Sequence, residues 1–549
     1  MKRLTFILLL ILSFGSLFAK ERTGEEKLAI AKSYLIKYGT GSRTKNLNKI
    51  QELKNLDGLT VLGYQQGGFV IVSNDDTNAP VVGYSERKAN LDAPELLWYL
   101  NAANQALLSR TASATASENK EPIEPLLKTL WGQDTPYNNL CPTERENTNV
   151  IYPTGCVATA MAQVMYYHQY PEKGTGSITY SFQDRILSAD FNNTYYQWSL
   201  MTPTYKKGQY SDESALAVAT LMYQCGVSIK MQYNVGGSGA FSYNAATALR
   251  KNFGYHENLQ IHYRDYYTAK EWINKVYNEL KAGRPIIYTG VDESNGGHCF
   301  VVDGYDQNNF VHVNWGWDGM NDGYYDIALL NPTGNKFSQG QTMLTGVDKP
   351  TANIEHHSEI VTDDNFKVTK LGSSKLLIND GKYANLSDQD FSGFLGIILE
   401  GNGKQYVLSS QENKGVPNLY YLTKPSSNLC VLPTDLADGI YRVYAASKDD
   451  KDKSWNPVHF AEGNNNSYIL EKSNKTISLT PVTDADWHET TAISNVLYDT
   501  NNVSSYVVTY NLEGQQVYKM KSSEFQLNNI PGKGIFILKQ GNKTTKIVK

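Results

Sequence analysis

Thr154-Gly155-Cys156-Val157-Ala158-Thr159-Ala160-Met161-Ala162-Gln163-Val164-Met165 is the stretch on which the reading of this chain turns. Val157, Ala160, Met161, Val164 and Met165 recur at helical spacing and Pro171 closes the segment, so the pattern predicts a buried helix. Cys156 then falls in its first turn, entered through a glycine that permits a tight approach. A helix N-terminus carries partial positive charge and unpaired N–H groups, and both favour thiolate over thiol. The thiolate is the nucleophilic form. A small buried cysteine opening an ordinary core helix fits the same segment equally well, so the choice rests on what lies elsewhere.

A nucleophilic cysteine needs a base, and the base needs an orienting group. Asn295-Gly296-Gly297-His298-Cys299-Phe300-Val301-Val302-Asp303-Gly304-Tyr305 puts His298 at the start of a strand, behind two glycines that let substrate backbone come close. Val311-His312-Val313-Asn314-Trp315-Gly316-Trp317 begins another strand that can pair beside it. Asn314 is then placed to hydrogen-bond the second imidazole nitrogen, with Trp315 shielding that bond from water. Taken singly, His298 also reads as a satisfied strand-edge histidine, and the tryptophans as core packing. Upstream, Trp131-Gly132-Gln133-Asp134-Thr135-Pro136-Tyr137-Asn138 offers Gln133, whose side-chain amide complements the Cys156 backbone N–H as an oxyanion donor. A loop glutamine is more commonly just solvated. The order Cys156, His298, Asn314, with the first two 142 positions apart, is that of papain-type enzymes.

Outward from these segments, 549 residues are too many for one hydrophobic core, and three or more domains are expected. Hydrophobic residues at 41% and charged residues at 19% suit a folded globular chain. A net charge of −4 leaves no basic surplus for neutralising phosphates and argues against a nucleic-acid binder. The first nineteen residues read as an export signal: Lys2 and Arg3, an apolar run from Leu4 to Leu12, and Leu17-Phe18-Ala19 at a cleavage point. Export bears on the five cysteines, Cys141, Cys156, Cys225, Cys299 and Cys430. An odd, sparse set is no disulfide scaffold, and it leaves at least one thiol unpaired in an oxidising compartment.

Residues 20–117 read as a small α+β unit. Glu25 to Tyr38 and Pro94 to Leu108 have helical patterns, and Leu59 to Leu62 and Phe69 to Val72 are strand-like around a turn at Gln66-Gly67-Gly68. Thr111 to Lys120, TASATASENK, is small, polar and aperiodic: a linker open to nicking. Residues 118–348 hold every catalytic candidate. Residues 352–482 shift to short apolar runs such as Leu395 to Leu399 and Ile440 to Tyr444 between Asn, Asp and Gly turns, the pattern of a β-sandwich. Residues 485–549 form a last small β unit. Lys448 to Lys453 reads as a solvated loop, and His168 as a cap closing the nucleophile helix.

Gln133 with Pro136-Tyr137-Asn138, Thr154 to Ala160, Gly297-His298 and Val313-Asn314-Trp315-Gly316-Trp317 together resemble the streptopain family of bacterial cysteine peptidases. The likeness continues into the N-terminal unit, where Gly68 to Ser73 followed by Pro80 to Ser85 is similar to that family's inhibitory propeptide. The resemblance implies an α+β fold: a papain-like cysteine protease catalytic domain with an α+β propeptide and, here, C-terminal β-sandwich domains. It implies a zymogen, endopeptidase action on protein or peptide substrates, and a taste for a hydrophobic residue two positions before the scissile bond. The loop Gly236-Gly237-Ser238-Gly239 resembles the family's substrate-lining loop, with Gly297 as a backbone contact beside the histidine, so Ser238, Gly239, Gly297 and Trp317 are the substrate-binding candidates. Gly239 stands where the family can have serine. Leu512-Glu513-Gly514-Gln515-Gln516-Val517 and the Gly534-to-Lys549 ending resemble type IX sorting domains, implying export machinery as a partner and a secreted or surface location.

The reaction needs no metal or organic cofactor. His356-His357 with Glu355 and Glu359 matches no ligand spacing. Two other classes remain: a catalytically dead binding protein on the same scaffold, and a different thiol acyltransferase. The presence of Cys156, His298 and Asn314 together weighs against the first, and the propeptide-like unit and linker against the second.

Overall fold

The computed structural model describes residues 20–38, 47–109, 120–144, 149–292, 296–330, 340–379, 381–483, 506–510, 516–521, 535–540 and 543–548. The expected signal peptide, linker residues 111–119, the stretch 512–515 and the turn at 541–542 lie outside them.

The chain opens with helix α1 (Gly24–Tyr38), strands β1 (Gln51–Asn55), β2 (Leu59–Gly63), β3 (Phe69–Ser73) and β4 (Val81–Ser85), and helix α2 (Pro94–Leu108). Strands β2, β3 and β4 are buried at every position rather than alternately. The reason is packing: α1 lies on β2 and β3, and α2 also packs on β2. Ala31 of α1 meets Val70, Val72 and Val81 in this core.

Next come α3 (Cys156–His168), β5 (Ser177–Phe182), β6 (Arg185–Asp190), α4 (Asp212–Ser228), α5 (Tyr243–Lys251), β7 (Gln260–Tyr263), α6 (Ala269–Lys281) and β8 (Ile286–Asp292). Then follow β9 (Gly296–Tyr305), β10 (Val311–Asn314), β11 (Gly323–Tyr325) and β12 (Thr342–Thr345). Helix α3 has the predicted start, but every residue from Val157 to Met165 is buried, so it is enclosed rather than one-faced. Cys225 of α4 meets it at Met165, sulfur to sulfur 3.6 Å. The helix ends differently from expectation. Gln169, in the left-handed region at φ 45°, donates its N–H to the carbonyls of Met165 and Tyr166. His168 is no cap; its Nδ1 lies 3.2 Å from the Tyr255 hydroxyl.

The described residues fall into two compact units. One lies within Met1–Pro125, Thr129–Gly132 and Val302–Phe337; the other within Leu126–Lys128, Gln133–Val301 and Ser338–Lys549. The division falls inside β9. In the first unit the strand order is β1-β2-β3-β4-β11-β10, so the N-terminal strands continue into β11 through Tyr84↔Tyr324 and Gly83↔Tyr325. In the second, β12 pairs antiparallel with both β7 and β8.

The second unit continues into β13 (Ile360–Thr362), β14 (Lys367–Leu371), β15 (Lys375–Asn379), β16 (Ala384–Asn385), β17 (Phe391–Gly401), β18 (Lys404–Val416), β19 (Leu429–Val431) and β20 (Gly439–Asp449). β21 (Asn456–Pro457), β22 (His459–Phe460), β23 (Asn465–Ser473) and β24 (Thr476–Thr483) complete it. The sheet β18-β17-β20-β23-β24 and two three-stranded sheets enclose a core of Phe366, Leu376, Ile378, Phe391, Leu395, Tyr441 and Val443. Buried polar groups tie this region to residues 250–267. Glu359 accepts from the Tyr267 hydroxyl at 2.8 Å and lies 3.1 Å from His262 Nδ1. Arg264, 1% exposed, pairs with Glu462 at 3.4 Å, and Arg250 pairs with Asp388. The Lys448–Lys453 stretch is correspondingly not a plain solvated loop, since Asp452 is buried against His356 Nδ1 at 3.0 Å. β25 (Tyr506–Tyr510), β26 (Gln516–Lys521), β27 (Ile535–Gln540) and β28 (Lys543–Val548) make a last antiparallel sheet. Among the described residues no helix is long and apolar enough to cross a membrane.

Candidate active site

Cys156 is the first residue of α3 and is half-buried; none of the five cysteines forms a disulfide. Its position is set from three directions within the second unit. Gly155 turns the chain at φ 87°, and a Cβ there would meet Met231 Cε at 2.5 Å and the Ser238 carbonyl oxygen at 2.9 Å. Only glycine fits. On one side, Thr154 N–H donates to the Gln133 carbonyl at 3.0 Å. On another, Ser238 Oγ donates to the Pro153 carbonyl at 2.7 Å. Behind, Thr159 Oγ1 donates to the Gly155 carbonyl at 3.1 Å and shares a 2.8 Å contact with Thr154 Oγ1. The segment leading into the cysteine is therefore held by hydrogen bonds on several sides, and the unpaired first-turn N–H groups of α3 lie at the Cys156 end of the helix.

His298 is the third residue of β9, 8% exposed, with its ring roughly parallel to Phe300 at 6.4 Å. Gly297 before it is exposed, and a Cβ there would press on Val291 Cγ2 at 3.3 Å. The next residue, Cys299, is 2% exposed; burial pushes its thiol up, and the charge of Cys156 pushes it further. Helix α3 packs on β8, the neighbour of β9 in the sheet.

Gln133 is 5% exposed, and its backbone carbonyl anchors Thr154. The proposed substrate loop meets the site through Ser238, which is buried and spends its hydroxyl on Pro153 while accepting from Asn234 N–H at 3.3 Å. Ser238 thus positions the entry to Cys156. Gly239 is exposed and bridges to Gln232 with backbone bonds of 2.9 and 3.0 Å. A Cβ there would meet nothing within 4 Å.

Asn314, Trp315 and Trp317 belong to the other unit. Asn314 closes β10 at 3% exposure; its Nδ2 donates to the Thr129 carbonyl at 2.8 Å and its Oδ1 accepts from Gly316 N–H at 3.1 Å. Trp315, 1% exposed, donates its backbone N–H to Asp322 Oδ1 at 2.9 Å and its indole N–H to the Asn321 carbonyl at 3.1 Å. Its ring meets Tyr325 edge-on at 5.3 Å. Trp317 is half-buried, and its indole N–H faces the carboxyl of Glu95 on α2.

Asp322, Asn321, Asp303 and His312 did not stand out in the sequence. Asn321-Asp322-Gly323 reads as an ordinary turn, yet Asp322 is 4% exposed and fixes Trp315. Burial lifts its carboxyl to about 7, against the pull of His312 and the Trp315 N–H. His312 lies 2.6 Å from Asp303; burial alone would lower its pKa, but the Asp303 charge reverses that and raises it.

The second unit holds a cysteine opening a buried helix and a histidine near the start of a strand, and the first holds an Asn–Trp pair closing a strand. Residues 131–325 match the Peptidase C10 family, and this chain belongs to it. A streptopain of Streptococcus pyogenes is 34% identical over 333 residues, spanning 55% of this chain and 83% of that protein. The thiol protease/hemagglutinin PrtT of Porphyromonas gingivalis is 33% identical over 323 residues, spanning 53% of this chain and 36% of that protein. A prointerpain A fragment of Prevotella intermedia is 40% identical at a TM-score of 0.50, with 55% of this chain and 98% of that fragment covered. The fold is the α+β fold of papain-like cysteine peptidases, and the chain is a streptopain-family cysteine peptidase.

Proposed function

We propose that this chain is an exported endopeptidase made as a zymogen, with Cys156 as nucleophile and His298 as its base. The observation that carries the proposal is Cys156 at the first turn of α3, a helix packed on β8, the sheet neighbour of the strand that carries His298. In the resting pair His298 holds the thiol proton. The thiolate attacks the peptide carbonyl, and the Gln133 side-chain amide and Cys156 N–H receive the oxyanion. His298 then protonates the leaving amine, and water hydrolyses the thioester with His298 as base. Asn314 orients the imidazole and Trp315 covers it. Ser238 and Gly239, with Gly297 and Trp317, line the substrate path.

Residues 20–117 are the inhibitory propeptide in this reading, 118–348 the catalytic domain, 352–482 an accessory β-sandwich and 485–549 a sorting domain removed or retained at export. Residues 1–19 direct the chain out of the cytoplasm. The pairing of β4 with β11 supports an N-terminal unit docked on the enzyme. The test is casein digestion by the reduced precursor after nicking in the linker, beside Cys156→Ala. Wild type should degrade casein and the variant should not. Intact casein in both, or equal loss in both, refutes the assignment.

A further inference from the structure

The N-terminal segment 85–95 grips the loop that carries Trp315, and two buried carboxyls, Glu95 and Asp322, belong to the gripped region. Ser85 Oγ donates to the Asp322 carbonyl at 2.5 Å. Asn321, fully buried and in the left-handed region at φ 63°, pairs with Asn90 through backbone groups. Its Oδ1 accepts from Asn90 N–H at 2.7 Å and its Nδ2 donates to the Asn90 carbonyl at 3.2 Å. Asn321 N–H reaches the Lys88 carbonyl at 3.4 Å. The Asn321 carbonyl in turn accepts from Trp315 Nε1 and, at 2.5 Å, from the Tyr325 hydroxyl. Residues 85–90 therefore hold the very residue that holds Trp315.

Glu95, in the first turn of α2, stands over this contact and is 0% exposed. Its own backbone N–H, Asn321 and Trp317 lie toward the carboxyl, but none meets it in full hydrogen-bond geometry, and Asp322 Oδ2 likewise has no partner. Burying an ionised carboxylate whose donors are this poorly aligned is costly. The charged and polar groups around the pair are few. Asn321, Trp317 and the Asp322 charge face Glu95; His312, Asp303 and Arg87 act on Asp322; Tyr325 feels both carboxyls. Burial first, then Asp322, lifts Glu95 to about 7, although its place at a helix N-terminus works the other way.

We propose that Glu95 and Asp322 form a proton-held latch: with a proton on the pair the propeptide grips the Trp315–Asp322 loop, and when both ionise the grip loosens. The latch rests on reading residues 20–117 as an inhibitory unit. Its sign follows from linkage. The docked state keeps a proton that the released state gives up, so docking is full below the ordinary glutamate range and is lost as pH rises through about 7. Release is thereby favoured at neutral pH rather than in acid.

The experiment is hydrogen exchange on the full-length Cys156→Ala precursor, with protection factors read for α2 and for residues 315–325 from pH 5 to 8.5. The slope of up to tenfold per pH unit makes the expected fall on the order of 100-fold between pH 5 and 7.5, levelling above that. Glu95→Gln should flatten it, and so should Asp322→Asn. A flat profile in the parent, or a parental slope in a variant that keeps its β17 and β20 protection, overturns the latch. Should one variant lose protection in those strands as well, the other decides. Because the parent lacks its nucleophile, this outcome is independent of whether the active chain cleaves casein.

Discussion

Gly155→Ala should cripple the enzyme while leaving it folded, and the geometry says by how much. At φ 87° and ψ 140° the residue sits in territory that L side chains rarely occupy, which costs roughly 1–3 kcal/mol. The new methyl would also lie 2.5 Å from Met231 Cε, a flexible end that can swing away, and 2.9 Å from the Ser238 carbonyl oxygen, which cannot. Relief must come from a shift of the 153–156 segment away from residue 238, breaking the 2.7 Å bond from Ser238 Oγ to Pro153. Moving the nucleophile by something near 1 Å is worth about 100-fold in rate. The expected result is a kcat/KM lower by roughly 100-fold on a casein-derived peptide, with a melting temperature lower by about 3–10 °C. Gly155→Ala with Met231→Ala should recover part of the stability and little of the rate, since the backbone clash remains. A variant within twofold of wild type in kcat/KM would refute the argument that this glycine aims Cys156.

Glu359→Ala should destabilise the second unit by roughly 3–5 kcal/mol, because it strands the buried Tyr267 hydroxyl and His262 beside it; urea unfolding followed by trypsin cutting near residue 350 reads this. His168 supplies a pH dependence. Burial holds its pKa at about 4 with the side chain 7% exposed. Between about 6.5 and 4 the unfolded chain therefore binds a proton that the folded one refuses. Stability from this site is full above pH 6.5 and falls by about 3 kcal/mol on the way to pH 4, and His168→Gln should flatten that part of a melting-temperature profile.

Local order was legible in this sequence because its cause is local. The apolar spacing from Val157 to Met165 gave α3, and Pro94 gave α2 its first residue. Gln133, Ser238 and Gly155 could be named from motifs, but their mutual bonds could not: Thr154 to the Gln133 carbonyl and Ser238 to Pro153 are backbone contacts that any residue type at the accepting position would provide. The amide of Asn314 is legible in the sequence, while Thr129, which accepts that amide's hydrogen, offers only a carbonyl. Polar residues proved the least readable. Arg264, His262 and Glu359 look like surface chemistry, and each is buried because a partner far along the chain makes burial tolerable, while Asp322 is buried against a backbone N–H only seven residues away. The pairing of β4 with β11 joins segments more than two hundred residues apart and leaves no periodic trace in either.

That pairing has a consequence for the matured enzyme. In the precursor β11 is flanked by β10 on one side and β4 on the other. On the proposed maturation, cutting away residues 20–117 would remove β4, and a strand interior in the full chain would become a rim with a row of open backbone donors and acceptors. That proposed maturation would then create a sticky edge as well as a working site. An extended peptide from another molecule could add itself there as a new strand. The brevity of β11, three residues, keeps that invitation small.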